Sequence, residues 1–177
     1  MIMKHIARRG MKLLLAPLAL IALGGAKMPE HSYVGAGDMA PGFSVTTTEG
    51  KVVDTKALKG KVVLVNFFAT WCPYCKVKLP LIDKTIYQQI DHDDFVVINL
   101  GREHDTAEMV EYKDEYNFAM PFAPDPGRAI YKQYAEQMIP RSVVIGRDGV
   151  IVLHQQDSTP EAVKNLKRVI QQQLSAP

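Results

Sequence analysis

The sequence predicts an α/β fold, a three-layer α/β/α sandwich whose mixed central sheet carries an added N-terminal β-hairpin and a central αβ insertion. Continuous apolar, β-branched runs, which fit strands buried on both faces, alternate with segments of helical apolar periodicity. Strand–helix–strand alternation favours a parallel sheet with right-handed crossovers. The 177 residues, 47% apolar and 23% charged, suit one globular domain.

Residues 1–26 have the parts of a secretory signal peptide. A basic segment ends at Lys12, an apolar run follows at 13–23, and small residues lead to Ala26. The run is shorter than the roughly 20 residues that cross a bilayer as a helix. We expect cleavage near Ala26 and an extracytoplasmic location, typically the bacterial periplasm. An uncleaved N-terminal anchor, which would place the protein at the membrane, and a buried helix are the alternatives.

The remaining chain divides into a lead-in or linker at 27–40, rich in Gly, Pro and small residues, and one domain at 41–177. Residues 1–26 hold four basic side chains and no acidic one, whereas the whole chain has a net charge of only +2. The remainder is therefore mildly acidic, which gives no support to nucleic-acid binding.

The first half of the domain shows a hairpin, a connector, a strand and a helix. The hairpin is expected over 43–53, with its turn at Glu49-Gly50. Residues 54–60 form a connector with one helical turn. A buried strand follows at 61–68, and a helix runs from 72 to about 90. Pro80 inside that helix predicts a kink.

The second half begins with a buried strand at 95–100. Asp105 or Thr106 can cap the next helix, which extends to 117. A short strand at 120–123 and a short helix at 126–134 complete the insertion.

Two strands and a helix end the chain. The strands, at 141–146 and 150–154, are joined by Asp148-Gly149, a strong two-residue hairpin signal. This hairpin adds an antiparallel edge to the sheet. Ser158 is expected to cap the final helix, at 160–174.

The chain has two cysteines, Cys72 and Cys75, separated by two residues. A disulfide persists in an exported protein, but a bridge this short closes almost no loop, so its value is chemical. A zinc site needs four ligands, and the five histidines are scattered without a pair at ligand spacing. We therefore expect no metal, and no cofactor beyond the redox-active Cys72–Cys75 disulfide.

The position of the pair explains its expected chemistry. Cys72 lies where a buried strand ends and a helix begins, and the free amides there stabilise a thiolate. The thiolate is the nucleophile of disulfide exchange. Cys75, one turn later, can resolve the resulting mixed disulfide. Pro73 suits the first helical position. We expect a lowered Cys72 pKa and a more buried Cys75.

The segment from Trp71 to Cys75, the later Pro80, and Met138-Ile-Pro-Arg-Ser142 resemble the thioredoxin superfamily. Within it, the sequence is similar to the TlpA/ResA-like branch of exported thiol–disulfide oxidoreductases, over roughly 38–174. The resemblance implies a thioredoxin-like fold and a protein-disulfide reductase. The dipeptide Pro73-Tyr74 is also the one found in glutaredoxins.

The resemblance assigns further roles around the disulfide. Pro140 is similar to the family's cis-proline, packed against the disulfide, and Ile139 would offer its backbone to an extended substrate. Trp71 would shield the pair, and Pro73 and Tyr74 would shape the site. A strand-edge proline and an ordinary core tryptophan are the structural alternatives for Pro140 and Trp71.

Two departures from the family concern the proton acceptor for Cys75. Asn66 holds the place of a thioredoxin Asp and cannot titrate, and Lys78 holds the place of a ResA-like Glu. Lys78 could favour the thiolates electrostatically or lie on a solvated helix face. The base for Cys75 stays open.

Several functions are compatible with a pair of cysteines in this position. The leading hypothesis is net reduction of exported protein disulfides, in cytochrome c maturation or in general periplasmic disulfide reduction, with electrons from a membrane donor. Disulfide oxidation or isomerisation is the alternative. A peroxidase would need a proline that 65–72 lacks, and a copper metallochaperone would need accessory ligands. Glu103-His104-Asp105 is expected to cap a helix.

Overall fold

The computed structural model describes residues 28–176, and its centre is a five-stranded mixed sheet in the order β5-β4-β3-β6-β7. Strands β3, β4 and β5 are parallel, and β6 and β7 continue the sheet antiparallel to their neighbours. A separate antiparallel hairpin is formed by β1 and β2. The strands are β1 Ser44–Thr46, β2 Val52–Asp54, β3 Val62–Phe68, β4 Phe95–Arg102, β5 Phe122–Asp125, β6 Arg141–Ile145 and β7 Ile151–Gln155. The predicted α/β architecture is confirmed, including its antiparallel edge.

Within the described residues, four α-helices accompany the sheet: α1 Pro73–Ile82, α2 Thr106–Glu115, α3 Tyr131–Tyr134 and α4 Pro160–Ser175. A 3-10 turn at Thr55–Leu58 forms the predicted helical turn of the connector. One face of the sheet packs against apolar residues of α1, α2 and α4. The other face packs against α3 and the N-terminal hairpin. All seven residues of β3 are buried, because both faces are covered. The sheet thus separates two hydrophobic cores, and β3 carries the chain directly into the cysteine segment.

Helix α1 is shorter than the predicted helix to residue 90. It runs through Pro80 and ends at Ile82, and Asp83–Tyr87 continue with the wider hydrogen bonding of a π-helix. The Asp83 carboxylate accepts hydrogen bonds from the backbone N–H groups of Ala119 and Met120 at 3.1 and 3.0 Å. The change of helix type therefore occurs where Asp83 is hydrogen-bonded to the segment just before β5.

The central insertion contains α2, β5 and α3. Asp105 caps α2 and forms a reciprocal capping box with Glu108, as the predicted cap requires. The helix predicted over 126–134 is wrong in its first half, since only Tyr131–Tyr134 is helical. Arg128 has a φ of 59°, and the Asp125 carboxylate accepts from the N–H groups that open α3, so a turn replaces the first helical residues.

The chain preceding the hairpin runs along the domain. The backbone N–H of Tyr33 donates to Tyr134 O at 2.9 Å, and that of Gly37 donates to Ile151 O at 2.9 Å. Residues 28–41 thus contact the elements that follow the cysteines.

At the other end, the β6–β7 turn contains Gly149 with a φ of 87°, as the Asp148-Gly149 signal predicts. Thr159, not Ser158, caps α4, because its side chain accepts from the Ala162 N–H. Over the described 28–176, no helix has the length and apolarity to span a membrane. The predicted signal segment at 1–26 lies outside the described residues.

Candidate active site

Cys72 and Cys75 are joined by a disulfide at the start of α1, with their Cα atoms 5.3 Å apart. Cys72 is the N-cap residue, and the Cys75 N–H points to its Sγ at 3.2 Å. Cys72 is 3% exposed and Cys75 is fully buried. The helix N-terminus therefore provides an amide for negative charge on Cys72, the sulfur nearer to solvent.

The loop before β6 lies against the disulfide. The Ile139–Pro140 peptide is cis, and the Ile139 carbonyl oxygen lies 3.9 Å from Cys72 Sγ. Ile139 is half-buried, whereas Pro140 is buried. The structure thus brings together the two segments that carried the family resemblance.

Exposed apolar side chains surround the disulfide. Trp71 is 59% exposed, so it is not an ordinary core tryptophan, and Tyr74 is 66% exposed. Val77 on α1 and Met138 beside the cis peptide are also more than half exposed. Several exposed apolar side chains close in sequence to the disulfide and the cis peptide are typical of an interaction site. We call these four residues the apolar rim.

The end of β4 holds the segment before Cys72. His104 Nε2 accepts a hydrogen bond from the Thr70 backbone N–H at 3.0 Å. Its Nδ1 lies 3.3 Å from a Glu108 carboxylate oxygen, and the ring is only 4% exposed. The Arg102 guanidinium lies 5.7 Å from the centre of the Trp71 ring, within cation–π range. Two residues outside the cysteine segment therefore fix the loop that carries Trp71.

Asn66 lies in β3, on the sheet face that packs against α1. Its Nδ2 donates to Asn99 Oδ1 at 2.9 Å, and its Oδ1 accepts from Ser142 Oγ at 2.6 Å. Three neighbouring strands are thus linked by neutral side chains beneath the cysteine helix. Both amide atoms are hydrogen-bonded, and the side chain offers no titrating group.

Lys78 is buried, at 1% exposure, so the solvated-face alternative for this residue is wrong. Among residues 28–176, its Nζ has no hydrogen-bond partner. Burial lowers the pKa of Lys78 to about 7, and the charge of Asp157 opposes that shift only partly. A lysine amine in this position is substantially neutral near neutral pH.

Sequence reasoning missed the roles of Arg102 and His104. Arg102 is the last residue of β4 and His104 lies two positions later, at the C-terminal end of a parallel strand that faces the same edge as the end of β3. That placement was available from the predicted strand order, since functional side chains gather at this edge in α/β folds. Within the described chain, no group of three or more His, Cys, Asp or Glu is placed to hold a metal ion.

Comparison with known proteins places this geometry in a family. The Redoxin family model matches residues 35–170, which is most of the chain. The chain belongs to the Redoxin family. Its relatives include "Thiol-disulfide oxidoreductase ResA" from Bacillus anthracis, 33% identical over 116 residues, which are 66% of each chain. The match thus spans just under two thirds of that relative. The ResA of Halalkalibacterium halodurans is 25% identical over 142 residues, 80% of each chain.

Solved structures share the fold of this Redoxin-family protein. A putative protein disulfide isomerase from Bacteroides thetaiotaomicron is 33% identical, with a TM-score of 0.78 over 82% of this chain and 94% of that one. A putative thiol:disulfide interchange protein DsbE from Chlorobium tepidum is 24% identical, with a TM-score of 0.70 over 79% and 98% of the two chains. The second likeness shows the thioredoxin-like fold alone.

Proposed function

We propose that this chain is a thiol–disulfide oxidoreductase that reduces disulfides of exported proteins through Cys72 and Cys75. The observation that carries the proposal is the disulfide at the first turn of α1, with Cys72 facing the Ile139 carbonyl. A strand-to-helix junction that stabilises a thiolate, next to a backbone that can pair with a substrate, suits disulfide exchange. Relatives named thiol-disulfide oxidoreductase support the same chemistry.

The apolar rim supports a protein as the substrate. Trp71, Tyr74, Val77 and Met138 present large exposed side chains on both sides of Cys72. An extended polypeptide can lie across this surface, with its backbone near the Ile139 carbonyl and its disulfide over Cys72. Edge pairing of this kind gives affinity through main-chain hydrogen bonds, so one site can accept many sequences.

The exchange proceeds in two steps. The Cys72 thiolate attacks one sulfur of the substrate disulfide, forms a mixed disulfide and releases the other sulfur as a thiolate. Cys75 then attacks Cys72 Sγ, which releases the second substrate thiolate and forms the Cys72–Cys75 bond. Two electrons pass from the enzyme dithiol to the substrate. The burial of Cys75 restricts it to the second step, because a substrate disulfide cannot reach it.

We place the protein outside the cytoplasm, as the signal at 1–26 predicts. A membrane donor would then return the pair to the dithiol state, since external disulfides persist in oxidising compartments. Apocytochrome c is one substrate that the TlpA/ResA-like resemblance suggests. The proposed reaction uses no further cofactor and no nucleic acid. Apart from its donor, the protein contacts the membrane only if residues 1–26 are retained as an anchor.

The reduction potential of the Cys72–Cys75 couple tests the direction of electron flow. We expect a value near that of thioredoxin, about −270 mV, when the protein is equilibrated with thiol buffers and its free thiols are trapped. A value near the strongly oxidising members, about −120 mV, would instead assign disulfide formation or shuffling. Without a reversible two-electron couple, the oxidoreductase proposal is refuted.

Single cysteine variants test the order of the two steps. Cys75→Ser should accumulate a mixed disulfide with a disulfide-containing protein, because the first step proceeds and the second cannot. Cys72→Ser should accumulate none, since the remaining thiol is fully buried. Non-reducing gel electrophoresis after acid quenching measures both. Equal trapping by the two variants would contradict the assignment of Cys72 as the attacking thiol.

A further inference from the structure

Cys75 must lose a proton during the second step, and it has no access to water. Its side chain is fully buried, and resolution of the mixed disulfide needs its thiolate. Asn66 is the polar residue of β3, the strand that leads into the cysteine segment. It is neutral, and both its amide atoms are already hydrogen-bonded. A protein group other than Asn66 must therefore take the proton.

Lys78 lies on the same stripe of α1 as Cys75. The buried positions of the helix are Cys75, Lys78, Leu79 and Ile82, a spacing of three, four and seven that defines one helical face. Side chains three apart on a helix are neighbours. Lys78 therefore shares the interior face of α1 with the resolving thiol, whereas Lys76 points to solvent.

The surroundings of Lys78 leave its amine uncommitted. Its Nζ, as noted, has no hydrogen-bond partner in the part of the chain that the structure describes. The face of α4 that packs towards α1 is apolar, with buried Val163, Leu166 and Ile170. A buried amine without a partner is costly to keep charged, so it tends to release its proton.

Two ionisable groups act on Lys78 from the packed elements. Asp157, in the turn before α4, favours the charged form, but its carboxylate is hydrogen-bonded to the Thr159 backbone. His154 on β7 has its pKa lowered to about 4, mainly by burial, so it is neutral near pH 7. The sheet beneath α1 contributes the neutral, hydrogen-bonded side chains of Asn66, Asn99 and Ser142. The effect of burial on the pKa of Lys78 is therefore larger than the opposing effect of the Asp157 charge.

We propose that Lys78 is the proton acceptor for Cys75. This inference rests on the proposed function. In the mixed disulfide, the neutral Lys78 amine takes the Cys75 proton and becomes an ammonium. The Cys75 thiolate then bonds to Cys72 Sγ, and the bond from Cys72 to the substrate sulfur breaks. The substrate thiolate leaves and is protonated by water. When a dithiol donor reduces the disulfide, Lys78 returns its proton to Cys75.

Lys78→Met tests this role, because methionine keeps a flexible apolar stem and removes the amine. Lys76→Met is the matched control, since Lys76 is exposed and adjacent to the pair. The reduced full-length protein is mixed with dithio-bis-nitrobenzoate, an aromatic disulfide that releases one coloured thiolate at each exchange step. The first release reports attack by Cys72, and the second reports attack by Cys75.

For Lys78→Met, we expect the second release to slow at least tenfold near neutral pH, while the first stays within about twofold. In the wild type, the second release should accelerate as pH rises through about 7, where Lys78 becomes neutral. The variant should lose that acceleration, and Lys76→Met should keep it. Lys78→Gln, which keeps a polar group but accepts no proton near neutral pH, should behave as Lys78→Met does.

Circular dichroism first verifies that Lys78→Met is folded. An unchanged second release in the folded variant, or equal slowing of both releases, would overturn the proposal. Should Lys78→Met fail that check, Lys78→Gln decides the question on the same criteria. Failure of the proposed function would look different, since the wild type itself would then show no second release.

Discussion

At the scale of single residues, the burial of Lys78 has an energetic cost. Its pKa falls from 10.5 to about 7, mainly through burial. Between these values the folded protein binds fewer protons than the unfolded chain, so stability rises with pH in that window. Below about pH 7 the charged amine is buried in full, and the fold bears the whole cost. Such a cost is typical of residues kept for chemistry.

Lys78→Met should therefore stabilise the protein, most strongly at and below pH 7. The upper bound is about 5 kcal/mol, since one pKa unit corresponds to about 1.4 kcal/mol. The gain should shrink as pH rises from about 7 to 10.5, because the wild-type amine becomes neutral in both states. Urea unfolding at several pH values measures it. A gain that is independent of pH would contradict the assigned cause.

At the scale of elements, the junction between β4 and α2 supports the loop before Cys72. The strand ends at Arg102, which stacks near Trp71, and His104 binds the Thr70 N–H before α2 begins. The same junction caps α2 through Asp105. One short segment thus terminates a strand, starts a helix and positions the active-site loop.

His104→Ala should loosen this loop, whereas His104→Gln should preserve it, since the glutamine side-chain oxygen can accept from Thr70. We expect a loss of about 1 kcal/mol for alanine, the net value of one hydrogen bond. Hydrogen exchange of the Thr70 amide and the fluorescence of Trp71, the protein's single tryptophan, both report on the loop. His92→Gln, at an exposed loop position, is the control. Unaltered exchange in His104→Ala would refute the role.

At the scale of the whole molecule, Arg141 joins segments that are distant in sequence. It is fully buried at the start of β6. Its guanidinium donates to the Glu30 carbonyl and the Ser32 hydroxyl at 2.7 and 2.6 Å, and to the carbonyls of Gln137 and Met138 at 2.7 and 2.9 Å. The chain before the hairpin is thereby fixed to the loop that precedes the cis peptide.

Arg141→Met should release the segment around 28–41 and reduce stability by about 2 kcal/mol or more, because the carbonyls of Glu30, Gln137 and Met138 lose their donor together. Limited proteolysis should then cut this segment, and urea unfolding gives the stability. Arg168→Met, on the exposed face of α4, should change neither. Resistance to proteolysis equal to that of the wild type would show that other contacts hold the segment.

Sequence patterns predicted the elements whose burial is uniform. The apolar run of β3 and the turn at Asp148-Gly149 are confirmed because local residues determine them. The sequence predicts a helix over 126–130, yet the Asp125 carboxylate accepts from the Ile130 and Tyr131 N–H groups and fixes a turn there. Local periodicity contains no information about such a contact.

The sequence predicted the role of Cys72 and Cys75 but not the burial of Lys78. Residue type alone would place the apolar Val77 on the inner face of α1, whereas Val77 is 53% exposed. The inner stripe instead follows Cys75, Leu79 and Ile82, and this spacing includes Lys78. The sequence left two alternatives for Lys78, an electrostatic effect on the thiolates and a solvated helix face. Its burial follows from its position on the helix, since neighbouring elements cover that face.

The attachment of Glu30 to Arg141 also determines where the polypeptide leaves the domain. Glu30 lies next to Gln137 and Met138, on the side where Met138 borders Cys72. If the apolar run at 13–23 is kept as an anchor, the segment that connects it to the domain ends near Met138 of the apolar rim. Residues 24–29 would then limit how far this side of the domain can lie from the bilayer.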